Sequence, residues 1–171
     1  FKHLQLFMIR LFCSVVLFVS PSLAMAQVII PRAPDIAANS YVLLDAQTGQ
    51  ILVEENADEP LPPASLTKIM TAYIAIEEII NGNLELTDQV YISEKAWRME
   101  GSKMFVDVDS QVSVEDLLRG IIIQSGNDAS VAISEHSAGS EEAFADMMNQ
   151  YSEVLGMKDS FFMNASGLDT E

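Results

Sequence analysis

Cysteine is almost missing from this chain: Cys13 is the only one in 171 residues. A disulfide framework, a cysteine-ligated metal and, if the N-terminus is removed, a thiol nucleophile are excluded with it. Histidine is scarce, at two residues, and His136 is the only one outside the N-terminal segment. A Ser-His-Asp triad would therefore need His136, which has no recognisable partner and reads as a helical surface or packing residue. A histidine metal site needs more ligands than that, so neither a metal nor a cofactor is expected. Positive charge is short as well: 9 Lys and Arg stand against 25 Asp and Glu, for a formal charge of −16. Nucleic acid, which is bound through clustered Lys and Arg, is excluded as a partner. Anionic lipid is a poor electrostatic match, and solubility outside the cytoplasm accounts for the acidity.

Long apolar runs are also few, and the most prominent is short. Lys2 and Arg10 precede Leu11–Val19, and Pro21 is followed by Ala24-Met25-Ala26. A basic start, an apolar middle and an A-x-A site make residues 1–26 a signal peptide. The run falls below the roughly 20 residues of a membrane span. Cleavage would leave Gln27 as the first residue, remove Cys13, and move the charge from −16 to −18 by loss of Lys2 and Arg10. The chain begins at Phe1 rather than Met and stops at Glu171 within an apparent turn. It is expected to be part of a longer protein at both ends.

Residues 27–38 form a leader with Pro31 and Pro34, and a catalytic domain is expected over 39–171. Tyr41–Asp45 and Gln50–Glu54 read as a hairpin, with Gly49 free to take a positive φ in the turn. A polar, proline-containing loop over 55–64 leads to a helix from about Ala64 to Ile80. That helix is apolar around most of its circumference, which predicts burial in the middle of a domain. Asn81-Gly82 ends it. Gln89–Ile92 reads as a strand, Ser93–Trp97 as one or two helical turns, and Gly101–Val106 as loop to extended chain. Ser113-Val114-Glu115-Asp116 has the form of a helix start. Its helix breaks at Gln124–Asn127, and another runs from Asp128 to about His136. Ser140 opens a helix closed by Gly156, with Glu141-Glu142 acting as charges at its start. Phe161–Met163 reads as extended, before Asn164-Ala165-Ser166-Gly167-Leu168-Asp169. There are no repeats. A hairpin followed by helices indicates α+β.

Two stretches carry chemistry. Ser65 and Lys68 lie three residues apart at the head of the long apolar helix, so they share a face. A lysine held among apolar neighbours loses hydration, which favours its neutral amine. A neutral amine beside a hydroxyl makes a base and a nucleophile, and the helix N-terminus favours a developing oxyanion. The competing reading is a solvated lysine. The second stretch, Ser125-Gly126-Asn127, interrupts two apolar helical runs. Ser125 can relay a proton to a leaving group, and the Asn127 amide can hold Lys68 and a substrate amide. Gly126 permits the sharp turn between them. Alternatively, Ser125 or Asn127 merely caps the next helix. Trp97 and Tyr91 read as core aromatics rather than as the lining of a substrate groove, Lys103 as a solvated lysine rather than an electrostatic aid to the site, and Asp128 as a helix cap.

Taken together, Pro63-Ala64-Ser65-Leu66-Thr67-Lys68, Gly101-Ser102-Lys103-Met104-Phe105, Gln124-Ser125-Gly126-Asn127-Asp128-Ala129 and Gly167-Leu168-Asp169 resemble the penicillin-recognising serine enzymes. Within that superfamily they are similar to the low-molecular-mass D-alanyl-D-alanine carboxypeptidases. The resemblance runs from about Asn39 to Glu171. It implies the β-lactamase/DD-peptidase-like transpeptidase fold, a helical cluster on an antiparallel sheet, here incomplete. It also implies an acyl-enzyme on Ser65, with Lys68 as general base and with Ser125 and Asn127 guiding the proton and the peptide. The backbone N–H of Ser65 would be one oxyanion donor. The partners would be the peptidoglycan stem peptide and β-lactams, and the location the periplasm, at the outer face of the inner membrane. The family's third motif, Lys-Thr-Gly, is not in these 171 residues. It is expected beyond Glu171, with a membrane-associating tail, so that residues 1–171 by themselves would be inactive. The rival readings are a DD-endopeptidase, a class A-like β-lactamase and a non-catalytic wall-binding relative. Gly126 stands where class A enzymes carry Asp.

Overall fold

Asp45 organises the first element. Its carboxylate accepts from Gln47 N (3.0 Å), Thr48 N (2.7 Å) and Thr48 Oγ1 (2.9 Å), an Asx turn that Gly49 completes at φ +71°. On either side, strands β1 (Tyr41–Leu44) and β2 (Ile51–Glu55) pair antiparallel, with a register shift between Leu43 and Leu44. The computed structural model describes residues 34–168; the expected signal peptide, most of the leader and Asp169 lie outside them. The chain divides after Ala57 into two compact units, and the hairpin belongs to the first.

The second unit opens with a 3₁₀ turn, Ala64–Leu66, running into α1 (Thr67–Ile80). Gly82, at φ +77°, closes α1 as the composition led one to expect. Then come β3 (Gln89–Tyr91), α2 (Glu94–Arg98), β4 (Gln111–Ser113), α3 (Val114–Gln124), α4 (Asn127–Ala138) and α5 (Glu141–Val154). Three helices carry serine caps: Ser93 accepts from Ala96 N, Ser113 from Asp116 N and Ser140 from Ala143 N. Each such cap is worth about 1 kcal/mol. Strand β4 pairs antiparallel with β3, Val90 facing Val112. Its three residues, Gln-Val-Ser, are too short to show an alternation, so the sequence gives no sign of it.

Helix α1 is not buried all round. Leu66, Ile69, Ile76 and Ile80 are 66%, 68%, 43% and 71% exposed, and form one stripe. The opposite faces divide between two cores. Met70 and Ile74 join Phe144, Met148, Phe162 and Ala165. Ala72 and Ala75 join Val90, Ile92, Leu117, Ile121, Val131 and Ile133, among others. Helix α4 is buried on every side over its first eight residues, Asn127 through Ser134. Small residues make this geometry available: Ala129, Ser130, Ala132 and Ser134 let α1, α2, α3, α5 and β3 all approach one axis. The two hydroxyls are satisfied within their own helix, Ser130 Oγ on Gly126 O and Ser134 Oγ on Val131 O, both at 2.8 Å. A pattern search for large apolar residues overlooks such a helix.

Three other expectations are corrected. Residues 161–163 form no strand. Asn149, on α5, pins this segment instead, accepting from Phe162 N and donating to Phe162 O, both at 2.8 Å. Trp97 and Tyr91 are 40% and 56% exposed rather than core residues. Trp97 stacks under the Arg98 guanidinium at 5.5 Å, and the Tyr91 hydroxyl donates to Asp109. Lys103 is half-buried and engaged, its Nζ on Trp97 O at 2.8 Å. His136 lies on the surface of α4, as anticipated.

Candidate active site

Ser65 sits in the 3₁₀ turn, one turn ahead of α1, and faces solvent. The residue before it, Ala64, is held at φ +48°, a left-handed conformation that a side chain disfavours. This bend sets Ser65 outward while Thr67 and Lys68 turn inward. Lys68 is 4% exposed. Its Nζ lies 3.1 Å from Ser65 Oγ and donates to the Ser166 carbonyl at 2.8 Å. Burial pushes the lysine down from its ordinary value of 10.5, because the charged ammonium loses hydration there. The solvated lysine is thereby ruled out, and a weakened ammonium touches an exposed hydroxyl.

The Ser166 carbonyl arrives from 98 residues away in sequence. Asn164 folds the turn that carries it, with Oδ1 accepting from Gly167 N at 2.7 Å and Ser166 N at 3.1 Å. Its amide nitrogen donates to Leu168 O at 2.9 Å. Gly167, at φ +73°, presses on the turn before Ser65: a Cβ there would overlap the Ala64 carbonyl and come within 2.5 Å of Thr67 Oγ1. The sequence displays Asn-Ala-Ser-Gly as a turn, but nothing in it ties that turn to Lys68.

Ser125 and Asn127 stand at the junction of α3 and α4, both of which pack on α1. Ser125 takes the left-handed conformation, φ 55° and ψ 39°. Gly126 has an ordinary φ of −64°, so the expectation that glycine makes the sharp turn is reversed. Gly126 is required for room instead: a Cβ there would come within 2.9 Å of Asp128 Oδ1 and 3.3 Å of Gly120 O and Met104 N. Neither Ser125 nor Asn127 supplies a side-chain cap to α4. The Asn127 amide nitrogen donates to Glu100 O at 2.6 Å; Lys68, which this amide was expected to hold, donates to Ser65 Oγ and Ser166 O instead. Its backbone N–H binds Ser102 O at 2.7 Å, so this motif clamps the 100–102 loop.

Asp128 does more than cap a helix. It is fully buried, and its carboxylate accepts from Met104 N (3.0 Å), Phe105 N (2.9 Å), Val106 N (3.3 Å) and Ala129 N (2.9 Å). The loop over 104–106 is thereby tied to the start of α4. Phe105 is held at φ +65° and is 81% exposed. Glu141 lies in the first turn of α5, as read from the sequence, and does more there: it is 7% exposed, pairs with Lys95 at 2.9 Å, and accepts from Ala165 N at 3.1 Å. Its neighbour Glu142, outside in solvent, pairs with the same Lys95.

An outward serine against a buried lysine at the head of a helix, in an α+β framework, is the pairing that the resemblance to the penicillin-recognising serine enzymes led one to expect. Solved structures agree. The chain superposes on penicillin-binding protein 5 of Haemophilus influenzae with a TM-score of 0.78 and 44% identity, covering 82% of this chain and 42% of that one. On the D-alanyl-D-alanine carboxypeptidase DacD of Francisella tularensis the values are 0.77 and 43%, covering 84% and 35%. The chain belongs to the peptidase S11 family of D-alanyl-D-alanine carboxypeptidases, whose profile matches residues 27–171. Among curated relatives, the D-alanyl-D-alanine carboxypeptidase DacC of Escherichia coli K12 is 44% identical over 144 residues, 81% of this chain and 36% of its own length. The chain thus spans about a third of the length of such relatives.

Proposed function

We propose that the full-length protein is a serine-type D-Ala-D-Ala carboxypeptidase that removes the terminal D-alanine from peptidoglycan stem pentapeptides. One observation carries this reading: the buried Lys68 amine, depressed from its ordinary value, lies 3.1 Å from the hydroxyl of an exposed serine. Neutral Lys68 takes the Ser65 proton as Oγ bonds to the carbonyl carbon of the penultimate D-Ala. The oxyanion so formed is stabilised by the Ser65 backbone N–H at the head of α1. Collapse breaks the C–N bond, and the proton passes through Ser125 to the departing amine of D-Ala. Asn127 positions the peptide. Water then hydrolyses the ester and returns the proton to Ser65. β-Lactams acylate the same oxygen, and their ester clears slowly. The basic, apolar and A-x-A pattern of residues 1–26 supports export to the periplasm, where the substrate lies.

The test uses intact protein, fluorescent penicillin and stem pentapeptide. The parent is expected to form a covalent adduct and to release free D-Ala. Ser65→Ala should do neither, while keeping its circular dichroism and thermal midpoint. Labelling that persists in Ser65→Ala would place the nucleophile elsewhere. Products from cross-linked muropeptides alone would favour endopeptidase action, and rapid penicillin turnover a β-lactamase.

A further inference from the structure

Glu141 has no part in the chemistry above, yet its carboxylate is buried and fully engaged. It holds the backbone that holds Lys68. Its Oε1 accepts from Ala165 N, 3.1 Å away. On the other side of that residue, the Ala165 carbonyl accepts from Thr71 Oγ1 at 2.7 Å, and the next carbonyl, Ser166 O, accepts from Lys68. Residues 165 and 166 are therefore strung between α5, through Glu141, and α1, through Thr71 and Lys68. Asn164 sets the bend of the same segment through its bonds to the N–H groups of Ser166 and Gly167.

The chemistry of a neutral amine shows what this arrangement can do. Such a group has two N–H donors and one lone pair. If an N–H is committed to Ser166 O, rotation about the last side-chain bond is restricted, and the lone pair can be directed at Ser65 Oγ. Lysine's flexible stem supplies no such restriction by itself. Misplacement of a reacting group by about 1 Å can cost up to about 100-fold in rate. A carboxylate acceptor holds an amide more firmly than a neutral one, and Lys95 at 2.9 Å compensates its charge.

We propose that Glu141 and Asn164 are positioning residues for Lys68, acting through the Asn164–Ser166 backbone to orient the amine toward Ser65. The proposal rests on Lys68 being the base in the reading above. The experiment resolves acylation of the intact enzyme by fluorescent penicillin into non-covalent binding and the chemical step. Glu141→Ala is expected to slow the chemical step about tenfold or more, with binding unchanged. Glu141→Gln keeps an acceptor oxygen for Ala165 N and should stay within about threefold of the parent. Asn164 is only half-buried, so its variants decide the matter if Glu141→Ala does not fold. Asn164→Ala should slow the step, and Asn164→Asp, which retains the acceptor, should restore it. Parental acylation in either alanine variant would overturn the proposal. So would a conservative variant as slow as its alanine counterpart. Lys68→Ala, run alongside, keeps the two readings apart: labelling at the parental rate there would remove the base assignment itself.

Discussion

Lys68 makes the sharpest prediction at the scale of single residues. Its folded-state pKa is depressed by burial below 10.5, and the nucleophile needs the neutral amine. The rate of acylation should therefore rise with pH through that depressed value and level off above it. A profile that rises only near 10.5 would mean that the lysine is solvated during the reaction. Stability has the same sign. Between the folded-state pKa and 10.5 the unfolded chain binds the extra proton, so folding stability gains with rising pH across that window and is flat above it. Below the folded-state pKa the penalty for burying the charge is fully present. Gly167 makes a second prediction. Alanine at φ +73° costs about 1–2 kcal/mol in backbone strain, and its Cβ would also overlap the Ala64 carbonyl. Gly167→Ala should destabilise the intact protein by more than the strain alone and slow acylation, since Ala64 precedes the nucleophile. Parental values from chemical denaturation and penicillin labelling would refute this. The Ser65–Lys68 pairing was legible from spacing, because positions i and i+3 of a helical turn must share a face. The partners of Lys68 and Asn127 were not, because they are backbone carbonyls, which every residue has.

At the scale of elements, α4 is the support on which the loops near the site hang. Asp128, at its head, gathers the N–H groups of Met104, Phe105 and Val106. Removing the carboxylate would strand those groups, at about 1–3 kcal/mol for each one left buried and unpaired. Asp128→Ala is thus expected to destabilise the intact enzyme by several kcal/mol in total. The amides of 104–106 should exchange faster with solvent than those of α5. Unchanged exchange there would show that the loop is held by something else. The sequence had marked α4 only as a helix after a break, and α1 as the buried one. Its small residues look undistinguished in composition, while α1 is rich in isoleucine. Which helix lies in the middle depends on how closely neighbours can approach, and short side chains decide that. The serine caps at Ser113 and Ser140 were read as helix starts, since a cap involves only residues a turn apart.

Across the whole molecule, the unit after Ala57 carries two apolar clusters separated by α1. Ile74 is fully buried in one and Leu117 in the other. Ile74→Ala and Leu117→Ala should each cost about 2–5 kcal/mol. Because the two side chains belong to different clusters, the double variant should equal their sum within about 0.5 kcal/mol. A coupling of more than about 1 kcal/mol in urea denaturation would mean that the clusters act as one core.

Local chemistry lay within reach of the sequence by itself: the hairpin turn, the serine caps at Ser113 and Ser140, the ends of the helices and the Ser65–Lys68 pair. Each depends on residues a few positions apart, whose geometry the backbone dictates. The tertiary structure alone decided that Lys68 is buried, that Ser166 and Glu141 stand behind it, and that Asp128 gathers a loop. Those contacts close over separations of 22 to 98 residues, and only the packing of helices around small side chains brings their ends together.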